Sequence, residues 1–213
     1  MSKIDVHVLT AVIGITGMGK SYWVKNKLIE AIAKNQPVII FDKDSEYGGA
    51  NAKDIPKGSS WNQYKNVYEF MRVLKDAGSL KGVHVISCNT INDYDYGVKL
   101  IYSLELPVCL LLEEAHFIFD EKKLDDVQGL LKNIARFGRK RSMSLALITQ
   151  RFLDIPKDIR TQLRGVISFH QNDSNDVESL NKFDSQASKK IIDFKPREFE
   201  IFGEIPKQIK KYL

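Results

Sequence analysis

The sequence predicts an α/β fold, a mostly parallel central sheet flanked by helices. Three observations carry this expectation. Short apolar runs alternate with longer amphipathic segments along the chain. The apolar runs are near-continuous, as in parallel strands buried on both faces. A glycine-rich turn joins the first apolar run to the first amphipathic segment.

The first strand is read over residues 6–13. The helix after it, 20–34, carries its core stripe as Val24, Leu28 and Ile32, a spacing of four. A second strand at 38–42 leads towards residues 47–60, where three glycines, a proline and two alanines mark a long functional loop. Then come a helix at 63–77, a strand at 83–88, a helix at 94–104 and a strand at 108–112. The next helix, 124–137, is expected to stop at Gly138 as its C-cap residue. Strands at 145–149 and 166–170, a helix at 175–182 and a strand at 198–202 complete the reading. This makes a single domain over 1–213, with its core at about 6–170 and C-terminal helices and strand in 171–213.

Composition sets limits. The chain has 213 residues, 43% hydrophobic and 28% charged, the balance of an ordinary globular protein. No apolar run approaches the roughly 20 residues that cross a bilayer, and the first residues do not read as a signal peptide. The two cysteines, Cys88 and Cys109, sit inside apolar runs and are expected to be buried thiols. A net charge of +5 permits a nucleic-acid partner without requiring one. Four dispersed histidines do not suggest zinc spacing.

Gly14-Ile15-Thr16-Gly17-Met18-Gly19-Lys20-Ser21 fits G-x-x-x-x-G-K-[ST], between an apolar strand and an amphipathic helix. Glycines let successive N–H groups curl towards phosphates, and the new helix adds its positive end. Lys20 supplies a charge for the β- and γ-phosphates, and the Ser21 hydroxyl ligates Mg²⁺. The expected nucleotide-binding residues are therefore 14–21 with Tyr22 beside them, and the expected ligand is ATP with Mg²⁺. This is the signature of a P-loop NTPase.

Phosphoryl transfer also needs a metal-holding group and a water-activating one. The apolar strand at 108–112 ends in Glu113-Glu114-Ala115-His116. Neighbouring strand side chains point oppositely, so Glu113 is assigned to Mg²⁺ and Glu114 as general base. A rival reading places a short strand at 117–119 and the pair at Asp120 and Glu121. After the next strand, Gln150 is placed to sense the γ-phosphate or the water. Asp126-x-x-Gly129 and Asn181-Lys182-x-Asp184 match guanine-nucleotide motifs, but neither follows a strand.

Together these residues resemble the FtsK–HerA superfamily of ATP-driven DNA translocases. The resemblance rests on the phosphate loop, Asp42-x-x-x-Glu46-Tyr47, Glu114-Ala115-His116, Gly138-Arg139-Lys140 and Thr149-Gln150-Arg151. Departures are Glu113 where the family has Asp, Phe152 in place of proline, and Lys43-Asp44-Ser45 inside the acidic signature. The resemblance implies a RecA-like (ASCE) ATPase coupled to sequence-independent movement along double-stranded DNA. It places Asp42 and Glu46 behind the metal site. It also implies a ring, hexamer or pentamer, in which Arg139, or else Arg136, reaches a neighbour's ATP. By its size the chain is most like the genome-packaging ATPases of tailless icosahedral DNA viruses. Such a motor would work in the host cytoplasm or on the virion, with capsid or membrane proteins as further partners. A cellular or plasmid HerA-like translocase and a nucleotide-switched assembly protein are the alternatives. Lys53 and Lys57 are the candidates for a DNA-channel loop.

Overall fold

A computed structural model describes residues 7–48, 60–77, 80–185 and 191–205. Eight strands form one sheet in the order β3-β4-β2-β5-β6-β1-β7-β8. They are β1 (Leu9–Ile13), β2 (Val38–Asp42), β3 (Trp61–Tyr64), β4 (Val83–Ser87), β5 (Cys109–Leu112), β6 (Ser144–Thr149), β7 (Gly165–Ser168) and β8 (Glu200–Gly203). Every pairing is parallel except that of β7 with β8. The expected α/β fold with a mostly parallel sheet is what forms.

The central strands are buried along their whole length, which explains their near-continuous apolar sequence. Alternate side chains serve two cores. Leu9, Ala11 and Ile13 join one cluster with Tyr94, Val98 and Ile101 of α4 (Ile91–Ser103) and Leu131 and Ile134 of α6 (Asp125–Arg141). Val8 and Val12 join the other, with Trp23, Val24, Leu28 and Ile32. Trp23 lies on α1 (Lys20–Trp23) and Ile32 on α2 (Ile29–Ala33), while Val24 and Leu28 begin and end the π-helical turn that links the two helices. The expected stripe of Val24, Leu28 and Ile32 is fully buried. Cys88 and Cys109 are buried free thiols, and burial pushes both of their pKa values up.

Several boundaries differ from the sequence reading. Residues 61–64 form the edge strand β3, and α3 (Val67–Ala77) starts after it. The capping box of Thr90 and Asp93 starts α4 three residues earlier than expected. Residues 117–119 are not a strand: they belong to α5 (His116–Asp120), and Glu121 caps the 3₁₀ turn Lys122–Leu124. Nor does Gly138 end α6. The helix runs to Arg141 and is capped by Ser142 at φ 56. Gly138 lies where an added Cβ would meet the Met143 carbonyl oxygen at 2.6 Å. Lys53 and Lys57 lie outside the described residues. Among the described residues no helix is long and apolar enough to cross a membrane.

In a parallel sheet the C-terminal ends of the strands lie along one edge, where ligands of such folds bind. Here that edge carries Gly14 after β1, Asp42 at the end of β2, Glu113 after β5 and Gln150 after β6. Strand β6 separates β1 from β5 and brings Gln150 between the phosphate loop and the acidic pair.

Candidate active site

The phosphate loop is held at its start by two neighbours. Gly14 N–H donates to the Gln150 carbonyl and Ile15 N–H to the His170 carbonyl, each at 3.2 Å. A Cβ on Gly14 would stand 2.6 Å from Phe169 Cβ, so only glycine fits. Gly17 and Gly19 take left-handed φ values of 83 and 98, which turn the loop into the start of α1. Lys20 is 7% exposed, and its Nζ donates to the carbonyls of Gly14 at 2.6 Å and Ile15 at 3.2 Å. Burial pulls its pKa down, while the carboxylates of Glu114, Glu113 and Glu46 hold it up. Met18 is buried beneath the loop, while Thr16 and Gly17 are exposed.

These residues form one wall of a cavity of about 270 Å³, whose lining includes Thr16, Gly17, Lys20, Ser21 and Tyr22. Asp44, Glu46, Glu113 and Glu114 line it as well. Both members of the expected acidic pair thus reach the cavity, though not by strand alternation. Strand β5 ends at Leu112, and Glu114 adopts a left-handed φ of 47 that turns the chain. A non-glycine residue in that conformation stores strain of about 1–3 kcal/mol, typical of functional sites. Glu114 Oε2 lies 3.0 Å from His116 Nδ1, an ion pair when the imidazole is protonated. Asp120 of the rival reading is exposed on α5.

Glu113 is 2% exposed, and burial pushes its carboxyl pKa up to about 8, against the pull of a hydrogen bond from Tyr47. The Tyr47 hydroxyl donates to Glu113 Oε2 at 2.9 Å and is itself fully buried. Asp42 organises this contact from behind. Its carboxylate accepts the N–H groups of Glu46 at 2.9 Å and of Tyr47 and Gly48 at 3.1 Å each. Burial raises the Asp42 pKa, and those three bonds oppose the rise. Asp42 therefore ties down the loop that carries Tyr47, whereas Glu46 and Asp44 face the cavity.

The residues fit a magnesium nucleotide: amides and a cation on one wall, a hydroxyl beside them, and a buried carboxylate opposite. The family model of the HerA helicase central domain matches residues 3–201. The chain belongs to this family.

A 91-residue stretch of this HerA-family chain is 29% identical to the DNA double-strand break repair helicase HerA of Pyrococcus furiosus, covering 43% of the chain and 16% of that protein. The fold is similar to the genome packaging NTPase B204 of Sulfolobus turreted icosahedral virus 2 in complex with ATP-γ-S. The TM-score is 0.69 at 20% identity, over 100% of this chain and 96% of that one. It is also similar to EssC (ATPases 2 and 3) of Geobacillus thermodenitrificans, with TM-score 0.57 and 12% identity over 98% of this chain and 42% of that one. The shared architecture is that of P-loop ATPases of the FtsK–HerA type.

Other residues that the resemblance singles out are not among those that line the cavity. Gln150 is half-buried at the end of β6, and its carbonyl also accepts from Gln171 Nε2 at 3.2 Å. Its neighbour Arg151 is committed to α7 (Ser174–Phe183) and its cap, bonding Asp176 at 2.8 Å and Asp173 at 2.9 Å. Arg136 and Arg139 are exposed on the last turns of α6, with Arg136 3.8 Å from Asp158. Asp184 accepts the Gly203 N–H at 3.0 Å, so the Asn-Lys-x-Asp match serves the β8 edge.

Sequence reasoning missed two contacts at or beside the cavity. Tyr47 was visible as the last residue of the acidic signature, but nothing local says that its hydroxyl meets Glu113. Arg197 gave no signal; its guanidinium stands 5.3 Å from the Tyr22 ring centre.

Proposed function

We propose that this chain is the subunit of an ATP-hydrolysing motor that moves double-stranded DNA, and that its role is viral genome packaging. The observation that carries the reading is the convergence of Glu113 and Glu114 on the phosphate-loop cavity. A fold likeness to a packaging NTPase over the full length of this chain supports the viral role over a cellular or plasmid one.

In this reading Lys20 and the amides of residues 14–21 hold the phosphates. Ser21 and Glu113 hold Mg²⁺, which neutralises charge on the transferred phosphoryl group. Tyr47 fixes the Glu113 carboxylate. Glu114 accepts a proton from water as the water's oxygen bonds to the γ-phosphorus, and ADP leaves with the electrons of the broken P–O bond. Gln150, anchored beside Gly14, senses the loss of the γ-phosphate. Arg139, or Arg136, acts on a neighbouring subunit's nucleotide in a ring of five or six. DNA is gripped through its backbone, so binding is sequence-independent and weakens steeply with salt.

A triplex-displacement assay tests movement directly. With ATP, the protein should strip a third strand from duplex DNA, and Glu114→Gln should not. ATP hydrolysis without displacement would indicate a nucleotide-switched assembly protein.

A further inference from the structure

The C-terminal segment returns to the phosphate loop before entering β8. Lys195 to Glu198 form a tight turn, closed by the Glu198 N–H donating to the Lys195 carbonyl at 3.0 Å. Pro196 holds its second position. Arg197 holds the third with φ 73, a place that favours glycine. The turn is docked on the loop: Arg197 N–H donates to the Met18 carbonyl at 2.9 Å. Phe199 fastens it from the other side, packing edge-on against Trp23 with ring centres 5.3 Å apart.

The Arg197 side chain runs over Gly19, where an added Cβ would lie 3.4 Å from its Cγ. Its guanidinium then reaches the Tyr22 ring, 5.3 Å from the centre. Gly19 and Tyr22 both line the nucleotide cavity, and Tyr22 is left 58% exposed beside it.

We propose that Arg197 and Tyr22 form the base-binding wall of this site, taking the aromatic base of a nucleoside phosphate by stacking. The inference rests on the phosphate-loop reading above. Three features favour it. An arginine at a position whose backbone favours glycine carries strain that a working side chain would offset. The phosphate-holding residues end at Ser21, and Tyr22 is the next residue of the wall. A cation over an aromatic ring offers a flat, charged surface of the kind on which bases stack.

Calorimetry with ATP, AMP and inorganic tripolyphosphate tests this on Arg197→Gly, which suits the turn, and on Arg197→Asn, which tolerates the same φ. Both variants should bind ATP and AMP about tenfold more weakly, the size of one stacking contact, with tripolyphosphate affinity unchanged. Equal weakening of all three ligands would mean that Arg197 acts on the phosphates or on the loop's shape, which overturns the proposal. Unchanged ATP and AMP affinity overturns it too. Lys20→Ala separates the two readings: if it leaves tripolyphosphate affinity intact, the phosphate-loop assignment itself fails.

Discussion

At the scale of single residues, Glu114 is the proposed general base. Its left-handed backbone turns it into the cavity, and His116 stands 3.0 Å from its carboxylate. Glu114→Gln keeps the shape and removes the base. Nucleotide binding should persist, while turnover falls by about a hundredfold or more. Single-turnover hydrolysis and equilibrium binding check this; the same loss from Asp120→Asn or Glu121→Gln would move the base to α5. His84 should make the fold sensitive to acid. His84 Nε2 donates to the Lys81 carbonyl at 3.0 Å, so its neutral Nδ1 accepts from the Tyr64 hydroxyl at 2.9 Å. Burial holds its pKa below the usual histidine value. The unfolded chain therefore takes up this proton first as pH falls through about 6.5, so the unfolded state binds more protons there. Stability is full above that pH and declines as pH drops towards the folded value. His84→Gln should flatten this decline in denaturant titrations between about pH 7 and pH 5. An unchanged slope would assign the acid sensitivity to other groups.

At the scale of elements, Gly97 in α4 lets that helix approach the sheet. A Cβ there would lie 2.5 and 2.7 Å from ring atoms of Phe41 and 3.1 Å from Val67. Helix propensity alone says that alanine gains about 1 kcal/mol, but overpacking costs about 1–3 kcal/mol. Gly97→Ala should therefore lower the melting temperature, and a rise would mean that the contact relaxes freely. What was legible in the sequence follows the same division. Buried strands such as Leu110-Leu111-Leu112 announce themselves, because both faces need apolar residues. Strand β3, Trp61-Asn62-Gln63-Tyr64, lies on the sheet edge with Asn62 and Gln63 exposed, so no apolar run marks it. Gly138 looked like a helix stop because close packing and chain reversal both select glycine. The phosphate loop is legible since phosphate binding is local. Tyr47 on Glu113 and Arg197 on Tyr22 are not, because each joins segments far apart in the chain.

At the scale of the whole molecule, Arg139 lies exposed at the end of α6, away from the residues that line its own chain's cavity. An arginine acting in trans stabilises transition-state charge by about a thousandfold or more. Arg139→Ala should then bind ATP nearly normally and hydrolyse it poorly. Mixing it with Glu114→Gln should partly restore turnover, because some interfaces then pair an intact base with an intact arginine. Absence of rescue would place the arginine's role elsewhere. A closed ring gives every subunit the same head-to-tail contact, so the proposed ring motor should also depend on protein concentration. Steady-state ATP hydrolysis with and without double-stranded DNA, over a range of protein concentrations, tests the account most directly. Turnover per subunit should rise with concentration and rise again with DNA of any sequence. Full turnover at every concentration, indifferent to DNA, would contradict it.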